Sequence, residues 1–337
     1  MIQFAIVGMG FIADKHIAAI QNAEGANLLA ICDTNPERLL IDDENVLKYT
    51  DLDKMLTENP QIDVVNICVP SGLHATLTKA VAKHKKHIVT EKPMALNSSD
   101  ALEMMEIAKD AGVKLSIVHP NRYRPAIMEV RELMDAGKFG KISHANATVR
   151  WNRGQAYYDQ APWRGTKQFD GGVLMNQAIH NLDLLLWFMG PVKSVQGMVA
   201  TRFRDIETED VATALIEFES GALGVVEAAT TVYPQNLEES LSIFGETASV
   251  KVSGKNAVFI DTWDVEGYSP EEVEALKTKI QNDPWGKKGH DCIIEDMVAA
   301  INEDRDPEVG GLDGYNPVRL IEAIIESSET GKRITFS

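Results

Sequence analysis

The first third of the chain alternates short apolar runs with amphipathic stretches. Residues 2–7, 27–32, 62–69, 87–90 and 113–119 are nearly continuous aliphatic runs, the pattern of strands buried on both faces of a parallel sheet. Helical spacing fills the gaps from Ala13 to about residue 22, over 73–85 and over 98–110, the last with Ser98 or Ser99 expected as N-cap. Repeated strand–helix–strand units fold as a doubly wound sheet with helices on both faces. Past residue 121 the texture changes. A helix to about residue 136 precedes strand patterns at 142–151, 192–200, 211–217, 224–232, 240–244, 248–252 and 257–260, joined by turns such as Glu219-Ser220-Gly221. Strands in direct succession predict a large open sheet, mostly antiparallel. Helical patterns at 173–189, 270–281, 289–303 and 316–328 are expected to cover one of its faces. The fold class is therefore α/β: a Rossmann doubly wound parallel sheet over residues 1–121, then an α+β domain over residues 122–337.

The turn after the first strand reads Gly8-Met9-Gly10-Phe11-Ile12-Ala13, a G-x-G-x-x-A between a strand and a helix. The first glycine permits the tight turn, and the second lets a pyrophosphate approach the backbone at the helix N-terminus. The second strand ends in Asp33, 20 residues after Ala13. A carboxylate there accepts from a ribose diol and repels a 2′-phosphate, which favours NAD over NADP. Arg38, five residues on, is the nearby cation that would blunt this preference. Two polar turns leave the C-terminal ends of later strands, where such sheets bind ligands. They carry Pro70 and His74, and Glu91-Lys92-Pro93. Candidate cofactor contacts are therefore Gly8, Gly10, Phe11, Ile12, Asp33, Pro70, His74, Glu91 and Lys92. A turn lysine is more often simply solvated, so Lys92 gains weight only from its neighbours.

In the apolar helix that opens at Gly171-Gly172, the residues Gly172, Asn176, His180 and Asp183 recur at spacings of four, four and three and line one face. A polar stripe on such a helix needs partners, because buried amide, imidazole and carboxylate groups are costly unpaired. A polar ligand supplies them; so does a histidine satisfied within the core by Asp183 or a carbonyl. Before this helix lies a loop of about twenty residues, long enough to suggest a function. Its aromatics and cations, Arg153, Tyr157, Tyr158, Trp163, Arg164 and Lys167, are the groups that stack on sugars or bases and fork onto phosphate or carboxylate. Packing on a neighbouring subunit is the competing use.

Composition narrows the partners. The formal net charge is -17 over 337 residues, with 44% hydrophobic and 25% charged residues, and no basic run. Nucleic acid and anionic membranes are not expected partners. No apolar run of about eighteen residues spans a bilayer. The N-terminus runs straight into a strand without a basic leader region, and the three cysteines, Cys32, Cys68 and Cys292, are odd in number and far apart. The expectation is a cytoplasmic protein with reduced thiols.

In this order, G-M-G-F-I-A, V-P-S-G-L-H, E-K-P-M-A-L, N-R-Y-R-P, the G-G-V-L-M-N-Q-A-I-H-N-L-D helix and the C-terminal R-D-P-E-V-G-G-L-D-G-Y-N-P resemble the glucose–fructose oxidoreductase / inositol dehydrogenase / MocA (Gfo/Idh/MocA) family over essentially the whole chain. That resemblance implies an NAD(P)-dependent sugar or polyol oxidoreductase, usually a homodimer or homotetramer. It makes Lys92 the active-site lysine and His180 the histidine that exchanges a proton with the substrate hydroxyl. Many members carry Asp four residues before that histidine, where this chain has Asn176. An amide orients a hydroxyl but relays no proton. The string Y-Y-D-Q-A-P-W-R-G-T and Asn176 are similar to the branch that oxidises UDP-N-acetylglucosaminuronate at C3 in surface-polysaccharide biosynthesis. There the 3-keto sugar goes to an aminotransferase, and some members recycle NADH with 2-oxoglutarate. The resemblance implies catalytic Lys92, His180 and Asn176, with substrate held by Arg153, Tyr157, Tyr158, Trp163, Arg164, Asn176 and His180. No metal is expected.

Other readings stay open at this point. The substrate is alternatively another sugar nucleotide, an inositol or a free keto sugar, although a neutral polyol does not require the cationic loop. A non-enzymatic dinucleotide-binding sensor would keep Gly8 to Asp33 without needing both Lys92 and His180. A metal-dependent dehydrogenase would draw on His180, Asp183, His74 or His119, which lack a zinc-ligand spacing.

Overall fold

The computed structural model describes residues 1–336. The chain divides into two compact units, Met1–Pro120 with Lys287–Tyr315, and Asn121–Gly286 with the described residues from Asn316 onward. Residues 287–315 thus depart from the second domain expected over 122–337.

In the first unit the order is Ile2–Val7 (β1), Ala13–Asn22 (α1), Ala26–Cys32 (β2), Leu47–Tyr49 (β3), Leu52–Glu58 (α2), Val64–Ile67 (β4), His74–Lys83 (α3), His87–Thr90 (β5), Ser98–Ala111 (α4) and Leu115–Ile117 (β6). The six strands lie in the order β3-β2-β1-β4-β5-β6, and every pair is parallel. β4 is buried along its whole length and β1 along its last four residues, which explains their unbroken aliphatic runs. β3 and α2 escaped the sequence reading. β3 is a three-residue edge strand with two exposed side chains, so burial imposed no apolar pattern on it. The cap of α4 is Asn97 instead of Ser98 or Ser99: its side chain accepts from the Asp100 amide at 2.7 Å. The returning segment supplies Gly289–Asn302 (α9), which buries Ile293, Ile294, Met297 and Val298 and packs on α1. It therefore does not cover the second unit's sheet, as had been expected of it.

The second unit contains Pro125–Asp135 (α5), Ile142–Arg150 (β7), Gln155–Tyr158 (α6), Ile179–Met189 (α7), Val192–Ala200 (β8), Val211–Phe218 (β9), Leu223–Ala229 (β10), Glu238–Gly245 (β11), Ala248–Ser253 (β12), Phe259–Val265 (β13), Pro270–Asn282 (α8) and Ile334–Thr335 (β14). Gly311–Thr330 (α10) begins in the first unit and ends in the second. The sheet order is β13-β12-β11-β7-β10-β9-β8-β14. All its pairs are antiparallel except β7–β10, which run parallel with Ala147 opposite Val226. Burial alternates along β9 and β10, so one sheet face is covered and the other open. α7 lies on the covered face, and Asn181 donates from it to the backbone carbonyls of Thr148 and Ser240 on β7 and β11.

Candidate active site

The glycine turn of the first unit has the shape that a dinucleotide needs. Gly8 has φ +91°, and a Cβ there would stand 2.7 Å from the Cys68 carbonyl, so only glycine fits. At Gly10 a Cβ would meet nothing within 4 Å; the space above the turn is open. α1 starts directly behind it with no side-chain cap; the Ala13 and Lys15 amides bond the Gly10 and Ile12 carbonyls, and the positive end of the helix dipole favours an anion at the turn. Phe11 stands exposed and Ile12 half-buried at this end. Asp33 Oδ2 accepts from the Met9 amide at 2.8 Å and Oδ1 from Asn35 at 2.9 Å. The carboxylate is thereby locked beside the turn with lone pairs remaining for a diol. Arg38 sits in the short turn Pro36–Arg38, exposed. These residues fit NAD, which supplies the hydride acceptor when bound.

The other candidate cofactor contacts of this unit behave differently from one another. Pro70 is half-buried at the head of the turn Ser71–Leu73, and Lys92 is half-buried on the turn after β5. His74 is fully buried, its ring nitrogens 2.8 Å from the Pro93 carbonyl and 3.0 Å from that of Val69. Its ring thus pins two turns together, with both ring nitrogens engaged by backbone carbonyls. Glu91 is also turned inward. Its Oε1 accepts from His16 Nε2 at 3.0 Å and His290 Nε2 at 3.2 Å, and its Oε2 from the Lys92 amide at 3.2 Å. Burial alone would raise the Glu91 pKa, but the bonds from His16 and His290 hold it well below the usual carboxylate range. Burial lowers the pKa of His16, which favours the neutral ring. Sequence spacing gave no hint of this trio, since 199 residues separate Glu91 from His290.

In the second unit, residues 174–178 form a π-helical turn that leads into α7. Ile179, Asn181, Leu182, Asp183, Leu184 and Leu185 are buried, whereas Asn176 and His180 are half-buried on the same side. Asp183, expected on the same stripe, instead takes a two-pronged bond from buried Arg122, Nε to Oδ2 at 2.9 Å and Nη2 to Oδ1 at 2.5 Å. Neither Asp183 nor His74 is therefore placed to act as a metal ligand as in the metal-dependent alternative. Asn176 donates its amide to Asp170 Oδ1, and Asp170 Oδ2 accepts from the Gly165 amide at 2.6 Å. Asp170, 2% exposed, thus joins the helix to the preceding loop; no sequence signal had singled it out.

That loop is more ordered than its composition suggests. It contains the single turn α6, and its rings and guanidinium groups alternate. Arg153 lies 4.9 Å from the Trp151 ring centre and 5.4 Å from Tyr157, while Arg164 lies 4.2 Å from Tyr157 and 4.7 Å from Trp163. The sequence Trp151, Arg153, Tyr157, Arg164, Trp163 is a cation–π ladder, and all five side chains are half-buried. Among the described residues neither arginine makes an ion pair. Arg204 holds the ladder in place from outside, donating Nε to the Arg153 carbonyl at 2.5 Å. Tyr158, expected to touch substrate, is buried instead; burial raises its pKa, and its hydroxyl bonds Thr230 Oγ1 at 3.2 Å. Lys167 is exposed.

Comparison with known proteins gives this geometry a lineage. Residues 2–119 match the oxidoreductase family with an NAD-binding Rossmann fold, and residues 127–251 match the GFO/IDH/MocA C-terminal domain. A WlbA dehydrogenase from Chromobacterium violaceum, solved in complex with NADH and UDP-GlcNAcA, is 35% identical with a TM-score of 0.93, covering 100% of this chain and 96% of that one. The WlbA dehydrogenase from Bordetella pertussis, in complex with the same two ligands, is 37% identical with a TM-score of 0.91, covering 100% and 98%. A more distant relative, the D-apiose dehydrogenase of Rhizobium rhizogenes, is 25% identical over 98% of this chain and 96% of its own length. The protein is a member of the Gfo/Idh/MocA family, an NAD-dependent oxidoreductase.

Proposed function

We propose that this oxidoreductase acts on a sugar nucleotide and oxidises the C3 hydroxyl of UDP-N-acetylglucosaminuronate to a ketone. The observation that carries this reading is the ladder of Arg153 and Arg164. In a chain of net charge -17, two guanidinium groups with no carboxylate partner among the described residues are stacked on three rings. Stacking fixes the planes of the guanidinium groups; Arg153 Nη1 donates to the Asn152 carbonyl at 2.7 Å and to Asn236 Oδ1 at 3.1 Å, so Arg164 offers the freer edge to fork onto an anion. The substrate offers a diphosphate and a carboxylate, and two relatives above 30% identity were solved with it.

His180 is the base that takes the hydroxyl proton, since an imidazole with a pKa of about 6.5 suits that transfer at neutral pH. Lys92 orients the hydroxyl and stabilises the developing negative oxygen. Asn176, its amide held by Asp170, aligns the same group without relaying a proton. On this reading 2-oxoglutarate serves as the oxidant that regenerates NAD, and the protein works as a homodimer or homotetramer.

The test follows NADH absorbance with UDP-N-acetylglucosaminuronate, with and without 2-oxoglutarate, after checking that the protein is free of bound NADH. Turnover with this compound and none with UDP-N-acetylglucosamine is expected. Replacing Arg164 with Ala should then raise KM about tenfold with a smaller effect on kcat, the pattern of lost substrate binding. A cofactor-free protein silent with the uronate but active on a free sugar or polyol would sink the proposal.

A further inference from the structure

Three of the chain's eight histidines bond the two residues that flank Lys92, Glu91 and Pro93. We infer that His16, Glu91 and His290 form a buried clamp that sets the backbone of Lys92, with His74 fixing the far end of the turn through the Pro93 carbonyl. These four are positioning residues, and the inference rests on the reading of Lys92 as a group that touches the substrate.

The bonding pattern is closed and directional. Asn66 donates to His16 Nδ1 at 2.9 Å, which leaves the proton of the neutral ring on Nε2. That nitrogen donates to Glu91 Oε1, and His290 donates to the same oxygen, so both lone pairs are occupied. The second carboxylate oxygen takes the Lys92 amide. His16 and His290 meet edge to face, with ring centres 5.3 Å apart. A buried ionic cluster adds little stability over a well-packed apolar one, so its presence calls for a different role. Position provides one. His16 stands one turn into α1, the helix whose N-terminus follows the Gly8 to Ala13 turn, and Glu91 directly precedes Lys92. The clamp thus ties the dinucleotide turn to the lysine turn. α9 supplies His290, which gives the return of residues 287–315 to this unit a chemical purpose.

Two measurements on the full chain with bound NADH test the clamp. Amide exchange of the peptide around Lys92 reports the turn whatever chemistry Lys92 performs; kcat and KM with UDP-N-acetylglucosaminuronate report its effect on turnover. His290→Ala should speed exchange and lower kcat about ten- to a hundredfold, the scale of a misplaced reacting group, with KM and NADH affinity within about twofold of wild type. His290→Gln, whose amide can still donate to Glu91, should recover most of both losses. Unchanged exchange in His290→Ala would overturn the inference, as would a glutamine variant no better than alanine, or a parallel loss of NADH affinity. The three ligand atoms lie within 4.8 Å of one another. One equivalent of transition metal retained through chelator dialysis would therefore make the trio a metal centre and also overturn it. Lys92→Met is measured in parallel. If that variant turns over normally, the substrate-facing role of Lys92 fails, and the exchange data still decide the clamp.

Discussion

The family resemblance implies a carboxylate at position 176 in many members, and the neighbour of Asn176 accounts for an amide there in this chain. Its amide donates to Asp170, which is nearly fully buried and also holds the Gly165 amide. An aspartate at 176 would set two carboxylates against each other, and one would keep its proton well above the ordinary pKa. Asn176→Asp should therefore lower kcat about tenfold, or roughly 1.4 kcal/mol of barrier. Asp170→Asn alone should do similar harm, while the double exchange restores the pair in reverse and recovers activity. Additive losses in that double-mutant cycle would break the argument. The residues proposed to carry the chemistry, Lys92 and His180, stand in local motifs that can be read along the chain. Asp170, His16 and His290 were not. Each acts through hydrogen bonds to partners chosen by the fold, and His16 and His290 reach Glu91 across 75 and 199 positions of sequence.

Among the elements, the entry to α7 is built around Glu209. Its carbonyl accepts from the Val173 amide at 2.9 Å and its Oε1 from Leu174 at 3.0 Å, so one residue serves the first amides of the π-helical turn. A Cβ on Gly172 would lie 2.1 Å from the Glu209 carboxyl carbon, so the second glycine of Gly171-Gly172 is there to admit that side chain. Burial raises the Glu209 pKa, more than the Leu174 bond lowers it. A carboxylate whose folded pKa lies above its unfolded one binds more protons in the native state, so stability falls as pH rises from about 4.5 through the raised value. Glu209→Gln keeps the acceptor and removes the charge. Its melting temperature should match wild type at pH 4 and exceed it at pH 8; a deficit that grows with pH would reverse the sign and refute the account. Hydrophobic patterning announced α7 but not its π turn, which depends on this distant carboxylate. The same limit applies to α9. An apolar stripe says that a helix is covered, and only the tertiary structure says that α1 covers it.

Within the second unit, the open face of the eight-stranded sheet carries an unexplained apolar surface. Met198 is 73% exposed, Leu215 63%, Leu223 56% and Val225 41%, all on the central and neighbouring strands β8, β9 and β10. Leu215 and Val225 are direct cross-strand partners, so these side chains form one patch and not scattered singletons. Burial alternates along β9 to the covered face, and the register leaves no freedom to turn the apolar set inward. A net charge of -17 keeps separate copies apart at long range, yet salt screens that repulsion within about 8 Å at physiological ionic strength. Contact burial then dominates, and a self-complementary face pairs by a two-fold axis. The expected outcome is a wild-type dimer or tetramer by light scattering, and a Leu215→Lys variant shifted towards the single chain, because one lysine per copy places two ammonium groups near the axis of a desolvated patch. NADH binding, which rests on the first unit's glycine turn, should survive that substitution. A variant that keeps the wild-type mass would move the interface elsewhere, and a wild-type protein that runs as a single chain at working concentration would leave the patch without a second copy to cover it.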